Sequence, residues 1–260
     1  MASLLQYSIK FAESPFWAVA VHDGHQLAPG IEKFMRLNDA QRLREEDPYT
    51  ASIAELPVNQ LVVGSSRFQL DVNRKKEDAI YIQPEQAWGL SVWKEPLPSE
   101  VLTQLYDDYT RFYQEIDRYI EQTIEHYGFF IVFDVHTYNA RRKSEDEVVD
   151  VQANPQINLG TVYNQAEWRP VIDGFIESVQ RQQLLGDVID IRENIKFKGG
   201  HLAQHILHKF GAHGCVLSIE FRKDFMNEWT GQPYQPAILA YKQLLLHVLK
   251  DLQNLTIYGV

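Results

Sequence analysis

A long amphipathic segment runs directly into the most apolar stretch of this chain, and that junction restricts the fold more than any other feature. Across Ser99–Tyr127, the residues Leu102, Leu105, Tyr109, Phe112, Ile116, Tyr119, Ile120 and Ile124 recur at three- and four-residue steps, with acids and bases between them. That is the pattern of a helix with one apolar face. Ser99 suits its N-cap and Gly128 its stop. Phe129-Phe130-Ile131-Val132-Phe133 then reads as a buried strand running into Asp134-Val135-His136. A long helix followed at once by a wholly apolar strand is the unit of a layered α/β protein with a mostly parallel sheet.

The rest of the chain repeats the alternation. Strands are expected at residues 16–21, 60–64, 68–72, 157–162, 188–191 and 216–221, and helices at 171–185, 199–210 and 237–252. Residues 141–154 are charged and lack apolar periodicity, which predicts a surface loop or a mobile lid. No repeat, low-complexity tract or Pro-, Gly- or Ser-rich linker divides the 260 residues, so one domain spanning 1–260 is expected.

Net charge is −10, from 35 acids against 25 bases. That balance argues against a nucleic-acid partner, which needs clustered Lys and Arg. The single cysteine, Cys215, has no internal disulfide partner and lies in the apolar run Cys215-Val216-Leu217, where it reads as a small buried hydrophobe. The opening Met1-Ala2-Ser3-Leu4-Leu5-Gln6-Tyr7 lacks the basic and apolar regions of a signal peptide. No apolar run approaches the ~20 residues of a membrane helix. A cytoplasmic protein without a membrane partner is expected.

The polar groups gather where strands end, and in open α/β sheets ligands bind beyond those ends. Four strands run into groups suited to metal or acid–base chemistry: His22, Asp71-Val72-Asn73-Arg74, Asp134-Val135-His136, and Glu220-Phe221-Arg222. Histidines with carboxylates suit zinc better than magnesium or calcium. Glu220 is the best-placed general base, with a structural ion pair to Arg222, two residues on along a strand and so on its face, or to Lys223 as the alternative. A rival zinc site is His201-Leu202-Ala203-Gln204-His205, with histidines four apart on a helix. Leu202 stands where that motif needs a glutamate, and His208 extends the stripe, so a plain helix face is the better reading.

Four strings resemble the N-formylglutamate amidohydrolase family, related in fold to the zinc carboxypeptidases. They are residues 66–74 (Ser-Arg-Phe-Gln-Leu-Asp-Val-Asn-Arg), Asp134-Val135-His136, Ile157-Asn158-Leu159-Gly160-Thr161, and Phe197-Lys198-Gly199-Gly200-His201. The resemblance implies a three-layer α/β/α sandwich around a mixed, mostly parallel sheet, of the zinc-exopeptidase kind. It implies one Zn2+ held by His22, Asp47 and His136, with Asp47 in the segment Glu46-Asp47-Pro48-Tyr49-Thr50. Glu220 matches the family's general base, and Asn73 with Arg74 the pair that holds a substrate carboxylate. Alternation along residues 67–73 turns Arg67 the same way as Asn73, to polarise the scissile carbonyl or grip a second carboxylate. Gly199 and Gly200 would let backbone approach the substrate, with His201 at a helix start.

The sequence departs from the family at Val21-His22-Asp23-Gly24-His25, where His25 competes with Asp47 as third ligand, and at Thr137-Tyr138-Asn139-Ala140. The expected activity is hydrolysis of a small N-acyl amino acid, N-formylglutamate first. The alternatives are a zinc carboxypeptidase-like hydrolase acting on a peptide or another acyl amino acid, and a non-catalytic binding module on the same fold.

Overall fold

The computed structural model describes residues 3–257; Met1 and Ala2, part of the segment read as lacking a signal peptide, lie outside them. Apolar residues alternate along β2 (Phe16–Ala20), and so do their destinations. Phe16, Ala18 and Ala20 join one core, while Trp17, Val19 and Val21 join another on the opposite face. A strand buried on both faces needs helices on both, and the chain supplies them.

The strands are β1 (Tyr7–Lys10), β2, β3 (Asn59–Val63), β4 (Phe130–Tyr138), β5 (Ile157–Gly160), β6 (Gln183–Leu184), β7 (Asp187–Val188), β8 (Ile191–Glu193) and β9 (Gly214–Arg222). The helices are α1 (Asp39–Glu45), α2 (Thr50–Ile53), α3 (Ser99–Tyr127), α4 (Arg169–Gln180), α5 (His201–Phe210) and α6 (Gln235–Ile257). Seven strands form one sheet in the order β1-β3-β2-β4-β9-β5-β8. The β3–β2, β2–β4, β4–β9 and β5–β8 pairs are parallel, whereas β1–β3 and β9–β5 are antiparallel. Helices α3 and α5 cover one face, α4 and α6 the other. The expected mixed, mostly parallel α/β/α sandwich is therefore the observed one. No helix among the described residues is long and apolar enough to cross a membrane.

The register of the two central strands positions the chemistry. Ile131, Phe133 and Val135 of β4 and Cys215, Leu217, Ile219 and Phe221 of β9 face the α4/α6 core. The intervening Asp134, His136, Ser218 and Glu220 turn to the α3/α5 side. Parallel pairing sets Asp134 beside Ser218 and His136 beside Glu220.

Four local expectations fail, the first being the single strand at 188–191, which is split between β7 in a hairpin and β8 in the main sheet. Residues 68–72 are not a strand: Gln69 N–H and Leu70 N–H return to the Ser66 carbonyl in a turn. Phe68, Leu70 and Val72 are buried at alternate positions without a paired neighbour strand, so the period-two pattern marks a buried loop. The helix at 171–185 stops at Gln180, and the chain turns into the β6–β7 hairpin through Leu185 (φ 54) and Gly186 (φ 95). Two positive-φ residues in sequence close such a tight hairpin, and they cannot continue a helix. The N-cap of α3 is Pro98 and not Ser99, whose hydroxyl donates to Glu100; Gly128 (φ 82) does end the helix. Residues 141–154 form a loop without helix or strand.

Candidate metal centre

His22 lies just beyond β2, His136 within β4, and Asp47 in the turn between α1 and α2. The Asp47 N–H donates to the His22 carbonyl (2.9 Å), which draws a sequence-distant turn against the strand end. Behind that turn Tyr49 takes a left-handed conformation (φ 72), an uncommon choice for an aromatic residue, with its hydroxyl donating to the Gly231 carbonyl at 3.0 Å. One nitrogen or oxygen from each of His22, Asp47 and His136 lies within 4.8 Å of the others, and all three residues are buried. His25, the competing ligand, stands outside this group. Its Nδ1 faces Glu46 at 2.5 Å and its Nε2 faces Arg42 at 3.2 Å.

The two histidines are arranged alike. Each turns Nδ1 toward Asp47 Oδ2, at 3.3 Å from His22 and 3.2 Å from His136. Each gives Nε2 to a fully buried aspartate: Asp71 at 2.8 Å from His22, Asp134 at 2.9 Å from His136. A carboxylate behind a ring fixes its orientation and raises its basicity, as it does for metal-ligating histidines. His22 Nδ1 is buried and makes no hydrogen bond. A buried nitrogen left unsatisfied between two further donors fits a cation there, and the mixed nitrogen–oxygen set fits zinc. Burial opposes charge on Asp47, yet the facing His136 and His22 rings hold its pKa far below the usual carboxylate range. Burial likewise opposes a charged His136, and Asp134 outweighs it, raising that ring's pKa.

Asp71 does more than orient His22. It accepts from Arg67 at 2.7 Å and from the hydroxyl of Tyr81, and from the Asn73 N–H at 2.8 Å. Burial disfavours its charge, but Arg67 and His22 keep its pKa well below normal. Arg67 is thereby fixed, its guanidinium 5.0 Å from the centre of the Trp88 ring. The loop at 66–74 achieves what a strand face was expected to do, through a buried ion pair.

A cavity of about 340 Å³ lies at these groups, lined by His22, Asp47, His136 and Glu220 together with Arg67, Arg74, Trp88, Arg142 and Lys198. Its size suits a small molecule. Glu220 makes no side-chain hydrogen bond or ion pair among the described residues, because Arg222 pairs with Asp224 at 2.7 Å instead. Burial pushes the Glu220 carboxyl up to about 8; His136 lowers it and Asp47 raises it further.

The chain belongs to the N-formylglutamate amidohydrolase family. A model of that family, described as N-formylglutamate amidohydrolase, matches residues 14–226 and so contains His22, Asp47, Arg67, Asp71, Asp134, His136 and Glu220. Among solved structures, N-formylglutamate amidohydrolase from Ralstonia eutropha JMP134 superposes with a TM-score of 0.75 at 12% identity, covering 95% of this chain and 98% of that one. A gene product from Agrobacterium tumefaciens gives a TM-score of 0.64 at 14% identity, covering 96% of each chain. At such identities these likenesses speak for the fold. No curated protein matches the chain.

Two residues of this family member stand differently from the sequence expectation. His201 begins α5, but its ring lies outside the cavity, in a separate cleft with Tyr113 and His205. His205 is taken by Asp117 at 2.7 Å, and His201 and His205 enter no metal-holding group among the described residues. Asn73 lines the cavity, yet its side chain is largely committed: Oδ1 accepts from Leu202 N–H at 2.9 Å, and Nδ2 approaches His136 Nε2 at 3.3 Å. Gly200 permits that joint, since a Cβ there would lie 2.3 Å from Asn73 Nδ2.

Two roles escaped the sequence reading. Asp134 and His136 sit two apart on a strand and so share a face, a signal that was available for the histidine's partner. Lys223 left no such signal. It is buried beside the cavity, and burial draws its ammonium down to about 8.

Proposed function

We propose that the protein hydrolyses the amide bond of a small N-acyl amino acid, with N-formylglutamate the first substrate to test. One zinc ion is assigned to His22, Asp47 and His136, and the whole of 1–260 is taken as one domain. The observation that carries the reading is the unpaired Glu220 carboxyl beside a buried two-histidine, one-aspartate cluster.

Bound there, zinc supplies Lewis acidity, acidifying water and polarising a carbonyl. Glu220 acts as general base: an oxygen of its carboxylate takes a proton from the attacking water and passes it to the leaving amine nitrogen. A carboxylate in the cavity with no ion pair or hydrogen bond of its own is free for both transfers. Arg67, locked by Asp71, offers a preorganised positive charge to the oxygen that becomes negative. Arg74 reaches the cavity from the rim, with one nitrogen donating to the Gln86 carbonyl at 3.1 Å. Its role is to hold the substrate carboxylate, so that binding energy away from the reacting carbon fixes the carbonyl in place.

Formate release from N-formylglutamate by zinc-loaded protein tests the reading, with Glu220→Gln as the companion variant. The glutamine keeps the shape and cannot accept the proton, so turnover should fall by about 10²–10⁴-fold with zinc content unchanged. Undiminished turnover in a folded, zinc-loaded variant would remove Glu220 from the reaction.

A further inference from the structure

We propose that Lys223 is a positioning residue for the metal site, clamping the Glu46–Asp47 peptide so that the Asp47 carboxylate stands where the histidines can share an ion with it. The proposal rests on the assignment of His22, Asp47 and His136 as ligands. Lys223 follows β9 directly and is 2% exposed. Its Nζ donates to the Arg44 carbonyl and to the Glu46 carbonyl, each at 2.7 Å. Its backbone N–H donates to the Tyr138 carbonyl at 3.1 Å, which ties it to the end of β4 as well.

The decisive feature is which peptide is held. The unit joining Glu46 to Asp47 gives its carbonyl to Lys223 Nζ and its N–H to the His22 carbonyl at 2.9 Å. One peptide plane is thus pinned on both edges, by the residue after β9 and by a proposed ligand. The Asp47 side chain springs from that plane, and Thr137 Oγ1 donates to its Oδ1 at 3.1 Å. The Arg44 carbonyl also accepts from Asn139 Nδ2 at 2.8 Å, whereas the Glu46 carbonyl, at the C-cap of α1, is one of the orphan acceptors of a helix end, where a cation is favoured.

A buried ammonium whose side-chain hydrogen bonds go to carbonyls is costly. Methionine would fill similar space without that cost, so packing alone does not account for a lysine. Its charge also works against the site, because an ammonium near the ligands repels a divalent cation. The two roles predict opposite signs. If Lys223 matters only as charge, its removal tightens zinc binding. If it is a clamp, its removal weakens it.

The experiment is zinc affinity by competition with a chromophoric chelator, on wild type, Lys223→Met and Arg222→Met, with thermal melts of the ion-free proteins alongside. Loss of an outer-sphere support typically weakens metal affinity about 10–100-fold, and that loss is expected for Lys223→Met with a cooperative melt retained. Arg222→Met removes the neighbouring cation, which pairs with Asp224, and should bind zinc as wild type does. Equal or tighter binding by Lys223→Met overturns the proposal, as does an equal loss in Arg222→Met. Should the methionine variant fail to fold, Lys223→Gln keeps one donor and is judged by the same criterion, with a smaller loss expected. Wild type that takes up no zinc overturns the ligand assignment and this proposal with it; wild type that binds zinc no better than Lys223→Met overturns the proposal alone.

Discussion

Two histidine–aspartate pairs in this molecule have nearly the same bond and very different surroundings. His205 Nε2 meets Asp117 Oδ1 at 2.7 Å between α5 and α3, and His22 Nε2 meets Asp71 Oδ1 at 2.8 Å beneath the cavity. The first pair keeps 20% and 18% of its side chains exposed, the second 3% and 0%. Asp117 is shared with Lys209, so its charge is already answered. His22 holds a second nitrogen, buried and without a hydrogen bond, that faces Asp47 and His136. A histidine–carboxylate bond is therefore not the mark of a metal ligand. For His22 the mark is the other ring nitrogen, turned toward further donors and lacking a partner of its own.

The comparison is broken most severely on the buried side. His136→Ala takes away one of three protein ligands and should lose most bound zinc and, with it, turnover. His25→Ala should keep its zinc, because that ring serves Glu46 and Arg42. Metal content of purified protein, measured by elemental analysis, decides both. Full zinc occupancy in His136→Ala would mean that the ion, if any, is held elsewhere.

The difference between the pairs also explains what could be read in the sequence. Apolar runs announced β2, β4 and β9, and three- and four-residue steps announced α3, because each is a local consequence of burial on one or two faces. The spacing of His201 and His205 is equally local, and it describes a helix face truthfully while saying nothing about a third donor. His22 and His136 were legible as polar groups at strand ends, whereas Asp47 has no local signature and the family resemblance alone named it. Residues 68–72 misled for a physical reason: a loop buried on all sides, with Gln69 donating to the Leu4 carbonyl and accepting from the Ala28 N–H, mimics strand periodicity. The helix at 171–185 was overrun because Leu184 and Leu185 extend its apolar steps, whereas the turn depends on backbone angles that Gly186 only partly reveals. Lys223 was read only as an ion-pair partner for Glu220, because its actual partners are carbonyls, which every residue has.

A smaller effect separates the two aspartates behind the ligands. Asp134→Asn leaves a shape that still accepts from His136 but removes the charge, and should weaken zinc binding about 10–100-fold. Asp71→Asn should cost a similar factor and also reduce stability, because Arg67 would lose its buried carboxylate partner. Breaking such a pair typically costs about 3–5 kcal/mol. Chelator competition and denaturant unfolding, run on both variants, distinguish the roles. Equal stability loss in the two would show that Arg67 does not depend on Asp71.

The smallest effect belongs to the exposed pair, and it tests whether the two regions are independent. His205→Ala removes a bond to Asp117 that solvent partly screens and that Lys209 partly replaces, so unfolding free energy should fall by no more than about 1 kcal/mol. The ring also lies edge-on to Tyr113, with centroids 4.5 Å apart, and part of the loss will come from that contact. Raising the salt concentration should narrow the ionic part of the difference and leave the aromatic part in place. Zinc affinity and turnover should match wild type. A mechanical route to the site does exist: the N-terminus of α5 is held by Asn73, whose Nδ2 reaches His136 at 3.3 Å. Yet His205 sits a turn further along α5, and Leu202, Ala203 and Ile206 anchor the helix in the core without it. A drop in zinc affinity in His205→Ala, with the fold intact, would show that the helix face and the metal centre are one unit, joined through Asn73.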